Sequence, residues 1–293
     1  MSPDRGRIAV VTPTIRIGST EIIALADGVG PFPFTSREGA FPDATAAQWA
    51  AVDRFDSGAV DAEGRWSLNF RAFAIRGPEG VTVVDAGIGP ADAPATWAPL
   101  PGKLPESLAA AGIDPSKVDT VVLTHLHTDH VGWAVVAEEA VTTSGDGPST
   151  GLSAFFPNAA YLIQRAEFDA VDMLNPQLRE TLIDPLQASD QLRLLDGDAP
   201  LRDAGRVVAT PGHTPGHQSV LVADGRESVL ITGDLLVHAI QALYPELAYV
   251  FEIDPEEARR SRERLLAVES TAKRYLATSH LTAPFVAVPS ASD

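Results

Sequence analysis

The chain has 293 residues, of which 45% are hydrophobic, and its formal net charge is -17 at pH 7. Phosphate binding requires clustered Lys and Arg, so this charge argues against nucleic acids and anionic membranes as partners. Cysteine is absent, which excludes disulfides, thiolate zinc sites and cysteine nucleophiles. Any metal must therefore be bound by His, Asp or Glu.

The length and the hydropathy pattern limit the number of domains and the kinds of segment that the chain can contain. A chain of this length can bury a large core, and we predict one domain over residues 1–293. Its apolar runs are too short to span a membrane. The segment Met1–Thr14 has no continuous apolar stretch of the kind that export signals contain. We therefore expect a cytoplasmic protein without a membrane segment.

The first part of the chain contains two strand candidates and then a long proline-containing segment. The apolar stretches Ile8–Thr12 and Ile22–Ala26 are typical of strands. Segment 29–65 contains three prolines, which we expect to break regular structure, and five large aromatic side chains. Either these aromatics pack an irregular loop onto the protein body, or the segment is a substrate-covering loop over an apolar ligand.

The middle of the chain predicts a hairpin, a helix and a buried strand. Leu68–Arg76 and Val81–Asp85 flank a Gly-Pro-Glu-Gly turn, a pattern typical of a hairpin. Pro105–Ala111 predicts a short helix, because proline lies at its start and Gly112 follows its end. Val121–Thr124 is a candidate buried strand, and the chemically richest stretch of the sequence follows it directly.

The second half of the chain predicts further strands and two helices. Phe168–Leu174 has the periodicity of a helix face, and Asp254 is a candidate N-cap of a second helix. In that second helix we expect Arg259–Arg264 to form a solvated face. Residues 142–153 are rich in Ser, Thr and Gly and predict a mobile surface insertion. The other strand candidates are Tyr161–Ile163, Leu192–Leu195, Arg206–Thr210, Gln218–Ala223, Ser228–Thr232 and Tyr275–Ser279.

Three histidines and an aspartate follow the strand that ends at Thr124. In an extended segment side chains alternate, so His125 and His127 project to one side and can bind one ion. Asp129 and His130 follow as the chain turns, and they can reach a second ion. Neutral imidazole and carboxylate are ligands for zinc and other borderline divalent metals.

Potential ligands recur at the ends of other predicted strands. All seven histidines lie after residue 124. His213 lies in a Pro-Gly-His turn after one strand, Asp234 follows Gly233 after another, and His280 ends a third. This recurrence predicts one shared site at one edge of a sheet.

Together these motifs resemble those of the metallo-β-lactamase superfamily. His-x-His-x-Asp-His at 125–130, the glycine-flanked His213, the Gly233-Asp234 pair and His280 occur in the family's order. The resemblance covers nearly the whole chain, from about Ile22 to His280. It implies a mixed α/β fold, the αββα sandwich, in which two mixed β-sheets lie face to face with helices outside.

The resemblance also implies a dinuclear metal centre with seven ligands. They are His125, His127 and His213 for the first ion, Asp129, His130 and His280 for the second ion, and Asp234 as the bridge. The expected cofactors are two divalent ions, zinc by preference, although manganese, iron and cobalt suit the same ligands. Such ions lower the pKa of bound water to about 7, so a metal-bridging hydroxide would attack a carbonyl or phosphoryl centre. Asp129 and Asp234 are then the catalytic carboxylates.

Other polar residues near these motifs have predicted supporting roles. We expect His238, four residues after the bridging aspartate, to face the substrate or donate a proton to the leaving group. Tyr244 and Tyr249 are alternative donors. His217 is expected to bond within its own turn. Asp85 is expected to orient a ligand imidazole or to serve as a turn carboxylate.

Differences from other branches of the superfamily reduce the number of candidate reactions. True β-lactamases lack a bridging aspartate at the place of Asp234, nucleases of the superfamily need basic surfaces, and glyoxalase-type thioesterases follow the first motif with paired glycines. In this chain Trp133 ends the first motif. Together with the aromatic segment Pro31–Phe55 and the stretch Asp234–Glu257, this ending resembles lactonase and methyl-parathion-hydrolase-like members. N-acyl homoserine lactonases often carry Tyr three residues after the bridging aspartate, where Val237 stands in this chain.

The leading hypothesis is therefore a dinuclear metal hydrolase that opens lactones or cleaves related esters of small apolar molecules. The alternatives are an organophosphate triester hydrolase, a mononuclear iron dioxygenase on the same fold, and a non-catalytic metal-binding or ligand-sequestering protein. The apolar loop at 29–65 also predicts self-association as a homodimer.

Overall fold

The computed structural model describes residues 12–137, 151–203, 205–267 and 272–288. The strands are β1 Thr14–Ile17, β2 Thr20–Pro31, β3 Ser67–Gly77, β4 Gly80–Val84, β5 Thr120–Val122, β6 Val135–Ala137, β7 Leu152–Ala154, β8 Ala160–Gln164, β9 Leu192–Leu195, β10 Ala199–Pro200, β11 Gly205–Ala209, β12 Gln218–Asp224, β13 Glu227–Ile231, β14 Lys273–Ala277 and β15 Phe285–Ala287. The α-helices are α1 Arg37–Ala40, α2 Ala46–Phe55, α3 Leu104–Ala110, α4 Thr128–Val131, α5 Arg165–Leu174, α6 Asp184–Ala188, α7 Ala239–Leu243 and α8 Pro255–Leu266. Short 3-10 helices span Pro115–Lys117 and Gly233–Leu235, and a π-helical turn spans Arg179–Ile183.

The strands form two large mixed sheets and one small hairpin. The seven-stranded sheet has the order β1-β2-β3-β4-β5-β8-β9, antiparallel up to β4 and parallel beyond it. The six-stranded sheet has the order β10-β11-β12-β13-β14-β15, and only β13 and β14 are parallel within it. The strands β6 and β7 pair separately.

The two large sheets pack face to face through one set of alternating side chains. In β2, Ile22 and Ala24 lie in a buried cluster with Val220 and Val229 of the second sheet. This alternation follows from the two-residue period of a strand, which sends successive side chains to opposite faces. Complete burial of a Val or Ile side chain contributes about 1.5 to 3 kcal/mol. The inter-sheet layer is therefore a main source of stability.

Helices cover the two outer faces. Ile23 on the outer face of the first sheet shares a buried cluster with Leu104 of α3 and Leu186 of α6. On the second sheet, Leu230 clusters with Leu265 of α8. The order of layers is helix, sheet, sheet, helix, which confirms the predicted αββα sandwich. Among the residues that the structure describes, no helix has the length and apolar character needed to cross a bilayer.

The prediction that segment 29–65 lacks regular structure is wrong. Strand β2 continues to Pro31, and the helices α1 and α2 follow. Helix α2 begins with a capping box, in which Thr45 and Gln48 bond each other's backbone N–H. All three prolines of the segment precede Thr45, so none of them interrupts this helix.

The prediction of a solvated arginine face on α8 is wrong at Arg262. This side chain is buried and forms an ion pair with the buried Glu252. Position 262 falls four residues after Ala258 and three before Leu265, so the helical period places it on the inner face. The neighbouring Arg259 and Arg260 do pair with glutamates at the surface.

Most other predicted elements agree with the structure to within two residues. The exceptions are β2, which extends five residues beyond its predicted end at Ala26, and α5, which begins three residues before Phe168. The hairpin β3–β4, helix α3 and strands β8, β9 and β11 to β14 occur where they were expected, whereas β10 was not predicted. Two predictions lie partly outside the described part. Of the strand predicted at Ile8–Thr12, only Thr12 is described, and it is not in a strand. Of the surface insertion predicted at 142–153, residues 142–150 lie outside the description, while Leu152 and Ser153 belong to β7.

Candidate metal centre

The predicted ligands meet where strands of both sheets end. His125 and His127 follow β5 of the seven-stranded sheet, and α4 then carries Asp129 and His130. The other three potential ligands, His213, Asp234 and His280, follow β11, β13 and β14 of the six-stranded sheet. The expectation of one edge of one sheet is therefore corrected: the site lies between the two sheets, and each sheet contributes part of it.

The first group of ligand atoms belongs to His125, His127, His213 and Asp234, and these atoms all lie within 4.8 Å of one another. Nε2 of His125 lies 2.9 Å from Nδ1 of His127, and Nε2 of His213 lies 3.1 Å from that same Nδ1. Burial and the neighbouring imidazoles lower the pKa of His127 to about 3. The pKa of His125 is lowered well below its usual value for the same reasons. These two imidazoles are therefore neutral near pH 7, the form that binds metal.

The second group consists of Asp129, His130 and His280. Nε2 of His130 lies 3.2 Å from Nε2 of His280. The other ring nitrogens are held outside the group, since Nδ1 of His280 lies 2.8 Å from the carbonyl oxygen of Asn69. Burial lowers the pKa of His130, but the carboxylates of Asp234 and Asp129 outweigh it and raise the value well above normal. A bound cation would take the place of these protons.

Asp234 lies between the two groups with one oxygen toward each. Its Oδ1 is 3.0 Å from Nε2 of His280 and 3.3 Å from Nε2 of His130. Its Oδ2 is 3.3 Å from Nε2 of His213. Burial would raise the pKa of Asp234, but His280 and His130 hold it well below its ordinary value. This is the geometry that a bridging carboxylate requires.

The buried polar atoms of this site fit divalent cations. In the described part of the chain, Oδ1 of Asp234 is buried and accepts no well-aligned hydrogen bond, although Nε2 of His280 and Nε2 of His130 lie 3.0 and 3.3 Å away. Leaving a buried carboxylate oxygen unsatisfied is costly, and a cation between the two groups would satisfy it. With five imidazoles and two carboxylates in two adjacent groups, the residues suit borderline divalent metals.

Asp85 orients one of the predicted ligands. Its Oδ2 lies 2.8 Å from Nδ1 of His130, and its Oδ1 accepts a hydrogen bond of 2.7 Å from the backbone N–H of Thr124. Asp85 has a φ of 64°, which is strained for a residue with a side chain. The predicted alternative of an imidazole-orienting carboxylate therefore agrees with the structure.

His217 does not belong to either ligand group. Its Nδ1 lies 2.8 Å from Oγ1 of Thr210, at the other end of the same turn, as expected. Its Nε2 accepts a hydrogen bond of 3.0 Å from the backbone N–H of Asp234. The second contact was not predicted, because it joins two parts of the chain that are 17 residues apart.

A cavity of about 310 Å³ opens above the two ligand groups. His127, Asp129, His213, Asp234 and His280 form its floor. Its apolar walls come from distant parts of the chain: Phe32, Phe34, Leu68, Trp97, Val237, Tyr249 and Phe251. From segment 29–65 only Phe32 and Phe34 line the cavity, so the predicted covering role is confined to the start of that segment.

His238 was predicted to be a catalytic residue, and its placement does not support that role. It is the N-cap of α7, where its Nδ1 accepts a hydrogen bond from the backbone N–H of Ile240. Its ring is buried among Phe41, Trp49 and Trp66, with centroid distances of 5.2 to 5.6 Å. His238 is absent from the lining of the cavity above the ligand groups. Position 238 was assigned from its spacing to Asp234, which does not reveal that the chain turns inward there.

The cavity wall includes one of the two tyrosines that were predicted as alternative donors. The ring of Tyr249 stacks on the imidazole of His213, with centroids 6.2 Å apart and planes inclined by 14°. Burial raises the pKa of Tyr249, so its hydroxyl stays protonated. Tyr244 is half-buried and is not among the residues that line this cavity.

Sequence reasoning missed Glu167, a buried residue in the first turn of α5. Its carboxylate accepts hydrogen bonds from the backbone N–H groups of Leu126, at 2.8 Å, and Gly216, at 2.9 Å. Burial raises the pKa of Glu167 in spite of these two bonds. One signal was available in the sequence, since Glu167 lies four residues before Val171 and so is a carboxylate on the apolar face of the helix.

Comparisons with known proteins agree with this fold and these motifs. Residues 71–280 match the family model of the metallo-beta-lactamase superfamily. An N-acyl homoserine lactonase from Bacillus sp is 30% identical over 128 residues, or 43% of this chain and 42% of the relative. An N-acyl homoserine lactonase from Bacillus thuringiensis is 27% identical over 179 residues, or 59% of this chain and 60% of the relative. The matches thus span about half the length of these relatives.

Solved structures match over almost the whole chain. A hydrolase of the beta lactamase superfamily, AbOPH, has a TM-score of 0.70 and 25% identity, with 95% of this chain and 97% of that chain covered. The dizinc quorum-quenching lactonase AidC has a TM-score of 0.69 and 20% identity, with 96% and 97% covered. The family match over residues 71–280 includes every predicted ligand. The chain therefore belongs to the metallo-beta-lactamase superfamily.

Proposed function

We propose that this protein is a dinuclear metal-dependent hydrolase that opens lactones or cleaves related carboxylic esters with an apolar substituent. The observation that carries the proposal is the position of Asp234, whose two oxygens face the two ligand groups at the floor of an apolar cavity. The similarity to proteins named N-acyl homoserine lactonase supports the same reaction class.

We propose zinc for both ions, in line with the description of the similar AidC structure as a dizinc lactonase. When bound, a pair of such ions supplies a nucleophile derived from water at neutral pH and polarises a substrate oxygen. His125, His127, His213 and Asp234 would bind one ion, and Asp129, His130 and His280 the other, with Asp234 shared. Asp85 would keep Nε2 of His130 turned toward the ion.

The cavity walls favour an uncharged substrate. Among the described residues, those that line this cavity include neither Lys nor Arg. Aromatic side chains dominate the wall, with Phe34 and Trp97 at a centroid distance of 5.5 Å and Phe32 and Phe251 at 6.2 Å. Such walls bind an apolar substituent and exclude water around it. An anionic substrate would find no cationic partner there apart from the bound ions.

The test is hydrolysis of neutral lactones and aryl esters that differ in the size of their apolar substituent, with metal-replete protein. We expect turnover of several members of this panel, and loss of turnover in Asp234→Asn. Asp169→Asn is a matched control, because it removes one negative charge from an exposed aspartate that is not part of the site. No hydrolysis of any lactone or ester by the wild-type protein would overturn the proposal.

A neutral aryl phosphotriester is a second candidate substrate. The aromatic wall formed by Phe32, Phe34 and Trp97 suits an aryl leaving group as well as an apolar acyl chain. The same ligand groups suit attack at phosphorus, because a pair of metal ions can stabilise both the entering and the leaving oxygen. Comparing kcat/KM for aryl phosphotriesters and lactones in one preparation decides which reaction is the principal one.

We also propose that the protein forms a homodimer through the apolar rim of the cavity. Phe34 and Phe251 of the cavity wall are each about half exposed, and so are Val250 and Ile253, which lie close to Phe251 in the chain. Clustered apolar side chains at a surface favour association. Light scattering after gel filtration should give the mass of a dimer, and Val250→Ser with Ile253→Ser should shift it toward the monomer. A monomeric wild-type protein would contradict this proposal.

A further inference from the structure

Helix α5 holds the backbone of the residue that separates two of the predicted ligands. Oε1 of Glu167, in the first turn of α5, accepts a hydrogen bond of 2.8 Å from the N–H of Leu126. Asn175, the C-cap of the same helix, donates from Nδ2 to the carbonyl oxygen of Leu126 at 2.7 Å. Leu126 lies between His125 and His127. Fixing its backbone at both ends therefore fixes the directions in which these two imidazoles leave the chain.

The second carboxylate oxygen of Glu167 holds the other ligand loop. Oε2 accepts a hydrogen bond of 2.9 Å from the N–H of Gly216, which lies three residues after His213. The approach is so close that a Cβ on residue 216 would lie 2.2 Å from the backbone nitrogen of Glu167. One carboxylate thus joins the loop that carries His127 to the loop that carries His213.

Packing alone does not require a carboxylate at this position. Glu167 is completely buried, and a buried carboxylate is costly unless its oxygens are hydrogen-bonded. An apolar side chain would fill the same space without that cost, but it could not accept bonds from two backbone amides. A glutamine could accept at one oxygen only, and its amide N–H would then face a second N–H.

We propose that Glu167 is a positioning residue for the ligand group of His125, His127, His213 and Asp234, and that Asn175 assists it. The inference rests on the proposed metal-ligand roles of these residues. Asp85 plays the corresponding part for the other group, because its Oδ2 bonds directly to Nδ1 of His130. It also accepts two hydrogen bonds from Thr124, the neighbour of His125. The hydrogen bonds of Glu167 hold only the two loops of the first group, whereas Asp85 is bonded directly to a ligand of the second, so we expect each carboxylate to support mainly one ion.

The test is stepwise metal binding by the full-length apoprotein. Zn²⁺ is titrated in competition with a chelator of known affinity, and bound metal is also quantified after dialysis. Wild type is expected to bind two ions. Glu167→Gln should weaken one of the two binding steps by about 10- to 100-fold, the usual effect of removing a hydrogen-bond partner of a ligand. Asp85→Asn should weaken the other step, and the double variant should weaken both.

Asp169→Asn is the matched control, since Asp169 is an exposed carboxylate on the same helix. It should bind both ions as wild type does. If Glu167→Gln does not fold, Asn175→Ala decides the question, because residue 175 is half-buried and the change removes the donor to Leu126 without adding a charge beside the ligand groups. That variant should weaken the same step as Glu167→Gln, to a smaller extent.

Unchanged binding steps in Glu167→Gln would overturn this inference while leaving the proposed function intact. Equal weakening of both steps, with a lower melting temperature of the apoprotein, would also overturn it, because that result indicates a structural role only. A wild-type protein that binds fewer than two ions would overturn the ligand assignments themselves, and the inference with them. Metal binding alone therefore distinguishes failure of the positioning role of Glu167 from failure of the ligand assignments, and no activity assay is needed.

Discussion

The backbone N–H of Asp234 donates a hydrogen bond to Nε2 of His217, with the two nitrogens 3.0 Å apart. Because Nε2 accepts this bond, the ring proton lies on Nδ1, which faces Oγ1 of Thr210 at 2.8 Å. His217 is outside both ligand groups, yet it holds the backbone of the residue that lies between them. Its role in the proposed centre is therefore to place Asp234.

Replacing His217 by Phe should destabilise the protein and reduce its activity. The change leaves the N–H of Asp234 buried without an acceptor, which should lower the free energy of unfolding by about 1 to 3 kcal/mol. His217→Gln, whose side-chain oxygen can accept the bond, should recover part of the loss. Urea titration and hydrolysis of the best substrate measure the two effects. Wild-type stability and activity in His217→Phe would show that the bond is unimportant.

His238 should make the protein less stable in acid. Burial, and then the charge of Arg37, lower the pKa of His238 to about 3 against the opposing effect of Asp53. In the unfolded chain a histidine titrates near pH 6.5. Between these values the unfolded state binds the extra proton, so stability falls as pH decreases from about 6.5 to about 3. His238→Asn keeps an N-cap acceptor for Ile240. Between about pH 3 and 6.5, the slope of its unfolding free energy against pH should be smaller than that of wild type by the contribution of one bound proton.

The same variant separates this role from the catalytic role that the sequence predicted for His238. Since the residue does not line the cavity, His238→Asn should keep kcat/KM within a few-fold of wild type when assayed well above pH 6.5. Denaturant titrations at several pH values and one hydrolysis assay suffice. A pH slope equal to that of wild type, or loss of turnover in a folded variant, would contradict a purely structural role for this histidine.

Tyr249→Phe should impair hydrolysis without disturbing the metal centre. The ring that stacks on His213 is kept, and only the hydroxyl is lost. In the part of the chain that the structure describes, this hydroxyl has no hydrogen-bond partner, and we expect it to donate to a substrate oxygen. Loss of one such bond costs about 1 kcal/mol, or about five-fold in kcat/KM. Tyr249→Ala, which also removes the stacked ring, should lower kcat/KM further. Equal kcat/KM for Tyr249→Phe and wild type would show that the hydroxyl does not donate to the substrate.

Replacing one member of the buried ion pair of Arg262 and Glu252 should lower the free energy of unfolding more than replacing both members. Glu252 also accepts from Gln241 at 3.1 Å and from the backbone N–H of Tyr249 at 3.3 Å. Arg262→Met leaves Glu252 buried without its cation, at a cost of about 3 to 5 kcal/mol. Adding Glu252→Met should restore part of the loss. Urea titrations of the two single variants and the double variant test this, and additive losses would contradict it.

The sequence predicted most of the fold and all seven members of the ligand groups, because both depend on local patterns. Strands such as β12 and β13 are continuous apolar runs with a turn between them, and the ligands follow strand ends at the spacing of a known family. Asp85 could be predicted as a partner of an imidazole because it also ends a strand.

What the sequence did not predict depends on contacts between distant segments. Trp97 reaches the cavity from a loop without a distinctive motif, and Glu167 contacts loops 41 and 49 residues away in the chain. Arg262 resembles its exposed neighbours in composition, and only the position of Glu252 in the fold explains its burial. His238 was misplaced because its spacing to Asp234 says nothing about the direction of its side chain.

The most direct test of the proposed dinuclear centre is the rate of lactone opening by the apoprotein as Zn²⁺ is added in sub-stoichiometric steps. Hydrolysis should require both ligand groups to be occupied, with Asp234 shared between them. We therefore predict that turnover stays low through the first equivalent of metal per chain and rises to its full value over the second. Full turnover at one equivalent, or turnover that does not depend on added metal, would contradict the dinuclear mechanism.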